Sequence, residues 1–153
     1  DEALFNGFLH RFRLPRTDED YWARVSFIAN DTLWYCKAVR VKYYEQASVF
    51  DPELCSIDLD NPVEPIFSWQ EGNTTNNIIF FQVLSDQNDQ ALSGTYTTEP
   101  SFRFYNTSNV VLNVTDPGPV PMLQANTDYQ FTLMGVSADN WVNLIVQKPF
   151  RTP

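Results

Sequence analysis

The sequence predicts an all-β protein built from antiparallel strands. Aromatic residues make up 15% of the chain and charged residues 19%, a composition that suits pleated surfaces, on which aromatic and β-branched side chains pack well. From residue 62 onward, short segments of alternating apolar and polar residues are separated by turn residues. Several short strands divided by frequent turns are typical of a β-sandwich.

Residues 123–131 give the strongest single indication of that fold. Thr127, Tyr129 and Phe131 alternate, so they share one face of a strand. A tyrosine at the start of such a strand buries its ring and returns its hydroxyl to the backbone, an arrangement called the tyrosine corner. We expect the Tyr129 hydroxyl to reach a nearby carbonyl.

The same residues resemble the corner motif of the fibronectin type III family. The matching positions are Leu123, Thr127, Tyr129 and Phe131. Ala125 departs from the pattern, because the family usually has proline there. Trp69, in a short strand with Ile66, is similar to the tryptophan of the family's second strand. The resemblance covers residues 62–153, implies a fibronectin type III or immunoglobulin-like antiparallel β-sandwich, and makes Trp69, Leu123 and Tyr129 structural residues.

The N-terminal third predicts an extension of that sandwich. We divide the chain into an arm and β-hairpin over residues 1–50 and a sandwich over 51–153, with a linker rich in Pro and Asp at about 45–65. Residues 1–16 fit one face of a helix or a strand, and an extended strand through 8–14 is favoured. Residues 21–44 predict a hairpin that turns at Asn30 and Asp31, with one apolar and one basic face.

Charge is spread unevenly along the chain. Residues 1–45 carry seven acidic and seven basic side chains, whereas residues 46–153 carry twelve acidic and three basic ones, so the net charge of −9 lies in the second part. This argues against nucleic acid as a partner, since phosphates require a basic surface. The sequence has no apolar run of about 18 residues, so we expect no membrane span, although a lipid anchor is possible. It shows no signal peptide, and an exported protein would be represented by its mature form.

The sequence predicts neither catalysis nor a cofactor. His10 is the only histidine, and no acidic residue is placed to orient it as a general base. One histidine and two cysteines do not make a standard closed zinc site. Asp51, Glu53, Asp58 and Asp60 are close enough in sequence to suggest calcium, but an acidic solvated loop is favoured over a metal site.

Two features bear on the cellular compartment. We favour a disulfide between Cys36 and Cys55, which would contribute roughly 3 kcal/mol by loop closure, over two buried thiols. Four Asn-x-Ser/Thr acceptor triplets begin at Asn30, Asn73, Asn106 and Asn113, and they would carry glycans only after passage through a glycosylating pathway. Together with the acidic sandwich they suggest a periplasmic, cell-surface or secreted protein.

Two classes of function remain. The first is a non-enzymatic interaction module, such as an accessory subunit of an envelope assembly or a surface lipoprotein. Its partner-binding residues would be aromatic and arginine side chains of the N-terminal third, because this composition is typical of protein interfaces. They are Phe5, Phe8, Arg11, Phe12, Arg13, Trp22, Trp34 and Tyr35.

The second class is a carbohydrate-binding module. An exposed aromatic ring on a β-sandwich can stack against a sugar, and Trp141 beside Asp139 and Asn140 is the candidate. The competing interpretation makes Trp141 a core residue at the start of the last strand, because tryptophan is highly buried on average.

Overall fold

The structure is a computed structural model that describes residues 2–7, 9–42, 47–74, 76–105, 110–114 and 122–153, with backbone only for residues 6 and 110–114. The chain forms two compact units. The larger unit consists of Asp1–Phe12 and Ser48–Pro153, and the smaller unit is Arg13–Ala47. The observed division differs from the predicted one, because the first twelve residues belong with the sandwich.

The described residues are almost entirely β-strand and turn, which confirms the predicted all-β class. In chain order the strands are β1 (Glu2–Leu4), β2 (Leu9–Arg11), β3 (Tyr21–Ala23), β4 (Ser26–Ala29), β5 (Thr32–Tyr35), β6 (Val39–Val41), β7 (Val49–Phe50), β8 (Cys55–Asp58), β9 (Ile66–Trp69), β10 (Asn77–Asp86), β11 (Ala91–Thr97), β12 (Ser101–Arg103), β13 (Val110–Val114), β14 (Asp128–Ser137) and β15 (Val142–Arg151). Two single-turn 3-10 helices, Phe5–Gly7 and Pro52–Leu54, stand between strands.

Two sheets of the larger unit face each other across a common core, as in a β-sandwich. One has six strands in the order β13-β11-β10-β14-β15-β7, and the other has three in the order β12-β9-β8. All pairings are antiparallel except that of β7 with β15. Strand β7 pairs with only Leu144 and Ile145 of β15. Residues 146–151 therefore lie at an edge of the six-stranded sheet among the described strands.

Aromatic residues join the two sheets. The ring of Phe67 from β9 stacks on Phe131 from β14, with centroids 4.1 Å apart and an interplanar angle of 6°. Trp69 contacts Phe80 edge to face at 5.3 Å. Because β9 and β14 alternate, every second side chain is delivered to this core. Aromatic contacts of these kinds contribute about 0.5–1.5 kcal/mol each beyond the burial of their surface.

Tyr129 forms the expected corner, with a different partner atom. Its ring is buried beside Leu123, and its hydroxyl oxygen accepts a hydrogen bond from the Gln124 backbone N–H at 2.8 Å. The predicted carbonyl partner is therefore wrong, although the return of the hydroxyl to the preceding backbone is observed. Thr152 fixes the same corner, since its hydroxyl donates to the Gln124 carbonyl and accepts from the Thr127 N–H.

The outer face of the six-stranded sheet is partly covered by the N-terminal residues. Strands β1 and β2 pair as a hairpin, and Phe5 and Leu9 pack against Phe81, Val83 and Ala91. Strand β10 thus delivers apolar side chains to both faces, which explains its nearly continuous apolar sequence. The strand favoured for residues 8–14 is observed only at Leu9–Arg11, and its partner β1 was not predicted.

The smaller unit is a two-stranded ribbon made of two consecutive pairings. Strand β3 pairs with β6, and β4 pairs with β5. The Val25 carbonyl bridges the two segments by accepting from the Cys36 N–H at 3.1 Å. The turn between β4 and β5 consists of Asn30 and Asp31, whose φ angles are 50° and 57°, as a two-residue type I′ turn requires. This is the hairpin turn that the sequence predicted.

Replacement of Tyr129 by Phe tests the corner. We expect the free energy of unfolding to fall by about 1 kcal/mol, because the Gln124 N–H loses its hydrogen-bond acceptor while the ring packing is kept. Urea unfolding followed by tryptophan fluorescence measures the change. Tyr35→Phe is the matched control, and we expect a change below about 0.5 kcal/mol because Tyr35 is exposed. Equal changes in the two variants would contradict a structural role for the Tyr129 hydroxyl.

Candidate functional site

The ribbon exposes an unusual number of large apolar side chains. Ile28 is 74% exposed, Phe27 59% and Trp34 54%. Five further residues of the smaller unit share this property: Trp22, Val25, Leu33, Tyr35 and Val39. Scattered apolar residues are ordinary on a protein surface, whereas a continuous group of them marks an interaction site.

These side chains occupy both faces of the ribbon. Phe27 lies opposite Trp34 and Ile28 lies opposite Leu33 in the register of β4 and β5. Directly opposed residues share a face and consecutive residues alternate, so the Phe27–Trp34 pair and the Ile28–Leu33 pair project to opposite sides. The predicted arrangement of one apolar and one basic face is therefore wrong for this part of the hairpin. A partner that covers only one side would leave an apolar pair exposed on the other.

Basic groups accompany the apolar ones. Residues 21–42 contain four basic side chains and one acidic side chain, a net charge of +3. The Arg24 guanidinium lies 4.6 Å from the centroid of the Tyr35 ring, a cation–π geometry. Arg40 forms an ion pair with Asp20 at 2.5 Å. An aromatic surface with arginine at its border is the composition that protein interfaces favour.

The ribbon is also a poor candidate for independent stability. A two-stranded hairpin in water is marginal, because it has no second layer on which to bury its side chains. Its type I′ turn, its backbone pairing and the Arg24–Tyr35 contact maintain the register, but they bury little apolar surface. Covering its faces would supply the missing layer.

The structure separates the residues predicted to bind a partner. Trp22, Trp34 and Tyr35 lie exposed on the ribbon. Phe5 is half-buried against the chain's own sheet, which is the alternative that the sequence analysis left open for the arm. The remaining four show less: Phe8 lies outside the described residues, Phe12 and Arg13 are exposed, and Arg11 pairs with Glu2.

Sequence reasoning missed Phe27, Ile28 and Leu33 as surface residues. Phe27 was assigned to the apolar, half-buried face of the hairpin. The signal that could have identified them is the pairing that follows from the turn at Asn30 and Asp31. A two-residue turn sets Phe27 opposite Trp34 and places Ile28 on the other face, so both faces of a two-stranded element become apolar.

The residues proposed for carbohydrate binding lie in and after the turn between β14 and β15. Asp139 and Asn140 are exposed, and Asn140 has a φ of 65°. Trp141 is half-buried, its backbone N–H donates to the Ser137 hydroxyl at 3.3 Å, and its indole nitrogen is buried. The burial reduces the ring area that a sugar could cover.

The two cysteines are free thiols, so the expected disulfide is not formed in this structure. Cys36 is exposed, and its sulfur accepts a hydrogen bond from the Val25 N–H at 3.3 Å. Cys55 is buried in the sandwich core. Burial raises the pKa of the Cys55 thiol from 9.0 to about 11, an effect that the charge of Lys148 partly offsets. Each sulfur is thus held within its own unit.

The acidic connection is used in local structure. The Asp51 carboxylate accepts from the Glu53 N–H at 2.9 Å and begins a 3-10 helix, and Asp58 accepts from the Asp60 N–H in the same way. Glu53 also pairs with Lys148 at 3.3 Å. Within the described ranges, no three side chains of the types that ligate metals come together as a metal site.

Two further observations complete the survey. No helix in the described part of the chain has the length and apolar character needed to cross a bilayer. His10 lies exposed on β2 and stacks on Phe12 with centroids 6.3 Å apart. Comparison with family models, curated proteins and solved structures found no match to this chain.

The thiols should differ sharply in reactivity. Under native, non-reducing conditions at pH 8 we expect iodoacetamide to modify Cys36 only, because the thiolate is the reactive form and burial suppresses it at Cys55. Intact-mass spectrometry should show one adduct on the native chain and two after unfolding in guanidinium. No adduct in the native chain, or none after unfolding, would contradict this assignment.

Cys55 should also affect stability at high pH. Its folded pKa of about 11 exceeds the unfolded value of 9.0, so its contribution is complete below pH 9 and is lost as the pH rises through about 11. Burial raises the pKa of Tyr96 as well, and this acts in the same direction. Urea midpoints between pH 8 and 11 should therefore fall more steeply for the wild type than for Cys55→Ala. Parallel curves would exclude the thiol as a contributor.

Proposed function

We propose that this chain is a non-enzymatic protein-interaction module whose ribbon, residues 21–41, binds another protein. The observation that carries the proposal is the exposure of Phe27, Ile28, Leu33, Trp34 and Tyr35 on both faces of β4 and β5. Leaving these groups in water forgoes the stabilisation that burial of apolar surface provides, about 25 cal/mol per Å². A partner that covers them would recover it.

The charges around the ribbon define the kind of partner. Its net charge of +3 and its border of Arg24, Lys37 and Arg40 favour an apolar cleft with acidic residues at the rim. The larger unit has the opposite character, with fourteen acidic and four basic residues, a net charge of −10. The ribbon and the sandwich therefore suit different neighbours, and recognition by the ribbon does not require the sandwich to change.

We further propose that the larger unit is a fibronectin type III-like scaffold. The buried tyrosine corner at Tyr129 and the core position of Trp69 support this assignment. The connection from β11 to β12 and then to β13 crosses from the six-stranded sheet to the three-stranded one and back again. A scaffold of this type does not itself specify a ligand, so the interaction residues are assigned to the extension.

We also propose that the module belongs to an exported or surface-anchored protein, as an accessory subunit of an envelope assembly. Two of the four glycan acceptor triplets, at Asn30 and Asn73, begin at exposed asparagines in turns. That placement is compatible with modification in a glycosylating pathway. Asn30 lies at the tip of the ribbon, so a glycan there would restrict how a partner approaches.

Site-specific crosslinking tests the binding role of the ribbon. A photoreactive residue at position 34 should crosslink to one discrete protein of the envelope fraction when illuminated in the producing cells. The same residue at position 78 is the matched control, because Ile78 is 59% exposed but belongs to β10 of the sandwich. Adducts to lipid alone, to a second copy of this chain alone, or equal adducts at both positions would contradict the proposal.

Affinity measurement supplies the quantitative test once the crosslinked protein is identified. Trp34→Ala should weaken binding about 30-fold or more, because a central aromatic residue of an interface commonly contributes 2 kcal/mol or more. Ile78→Ala should leave affinity within about twofold. Calorimetric titration of the purified proteins measures both changes. Binding that survives Trp34→Ala unchanged would exclude the Phe27–Trp34 face.

A further inference from the structure

A groove on the larger unit lies between the N-terminal hairpin and the outer face of the six-stranded sheet. Its floor is formed by adjacent positions on three strands, and the register places Thr132 beside Gln147, Met134 beside Ile145, and Ile145 beside Phe50. The hairpin contributes the wall through Leu4, Phe5 and Leu9. Arg11 and Asp89 complete the lining.

The groove is of a size that small molecules occupy. Its volume is about 460 Å³, within the range of roughly 300–1,000 Å³ for small-molecule sites. Six of its ten lining residues are apolar. The hairpin covers the sheet over Phe81, Val83 and Ala91 but stops short of Phe50, which is 70% exposed. The outer face is therefore apolar and covered at one side, with an open recess at the other.

Thr132 is the feature of the groove that the fold does not explain. The residue is 5% exposed, and its hydroxyl oxygen is buried with no hydrogen-bond partner among the described residues. A buried hydroxyl without a partner costs about 1–3 kcal/mol. The neighbouring positions on this face are largely apolar, so valine, which has nearly the same shape, would serve the packing better.

The charges at the groove indicate the kind of molecule that would supply the missing partner. Arg11 already pairs with the Glu2 carboxylate, and Asp89 adds one negative charge at the border. The unit as a whole carries a net charge of −10. Anions are therefore disfavoured, and a cation would have only Asp89 as a counter-charge within the lining.

We infer that this groove binds a small, uncharged, mainly apolar molecule whose hydroxyl or carbonyl oxygen hydrogen-bonds to the Thr132 hydroxyl. Met134, Ile145 and Phe50 contact its apolar body. This site is independent of the ribbon, since its lining belongs entirely to Asp1–Phe12 and Ser48–Pro153. Its failure would leave the proposed protein-binding role intact.

Fluorescence displacement with the whole chain tests the site. The reporter is N-phenyl-1-naphthylamine, and the competitors are 1-octanol and octanoate, which differ in their head group. We expect 1-octanol to displace the reporter at least about tenfold more effectively than octanoate, because burial of an unpaired carboxylate is costly. Octanoate equal to or better than 1-octanol would overturn the inference.

Variants assign the site to the groove. Ile145→Trp should abolish reporter binding by filling the recess. Ile78→Trp on the same sheet, outside the lining, should leave it within about twofold. Trp34→Ala is a second control, because the exposed ribbon offers the reporter another apolar surface. Unchanged binding by Ile145→Trp, or loss of binding by Trp34→Ala, would place the reporter elsewhere and overturn the inference.

Thr132→Val separates ligand recognition from a structural role. The variant should lower the affinity for 1-octanol about threefold to tenfold, the effect of one hydrogen bond, and leave the affinity for the reporter within about twofold. The ligand-free variant should also be more stable to urea, since an unpaired buried hydroxyl is removed. Unchanged affinity for 1-octanol, or a less stable variant, would show that the hydroxyl serves the fold.

Discussion

The stacking of Phe67 on Phe131 is the contact on which the larger unit depends. It joins the three-stranded sheet to the six-stranded one at 4.1 Å, and both rings are fully buried. Trp69 and Phe150 pack around the same pair. The corner at Tyr129 then fixes where β14 enters this core, because its hydroxyl holds the preceding backbone. The rest of the sandwich extends outward from these few aromatic contacts.

The two units distribute apolar surface in opposite ways. In the sandwich, alternation sends one set of side chains to the core and the N-terminal hairpin covers part of the other set. In the ribbon, two strands have no second layer within their own unit, so Phe27 and Ile28 remain exposed on opposite faces. The burial that stabilises a fold is complete in one unit and missing in the other, and this difference directs the functional interpretation to the ribbon.

The sequence predicted the elements whose signals are local. Alternation located β9, β10, β11 and β14 closely, and the spacing of Leu123 and Tyr129 indicated the corner. The type I′ turn at Asn30 and Asp31 also followed from its residues.

Features that depend on distant contacts were not predictable from the same signals. The return of the N-terminal hairpin to β10 requires knowledge of where the sheet is uncovered, and the separation of Cys36 from Cys55 requires the division into units. The unpartnered hydroxyl of Thr132 depends on its neighbours across three strands. The corner atom was mistaken because pattern alone does not distinguish a backbone donor from an acceptor.

The short pairing of β7 has a consequence for self-association. Because β7 covers only two positions of β15, the rest of that strand presents backbone groups on which a foreign strand could polymerise. Pro149 removes one amide donor from this stretch, and Lys148 adds a charge that Glu53 holds in place. Proline and lysine at such positions discourage fibre growth. The sandwich can thus remain monodisperse beside a sticky ribbon, leaving assembly to the part of the chain that selects its neighbour by side chains.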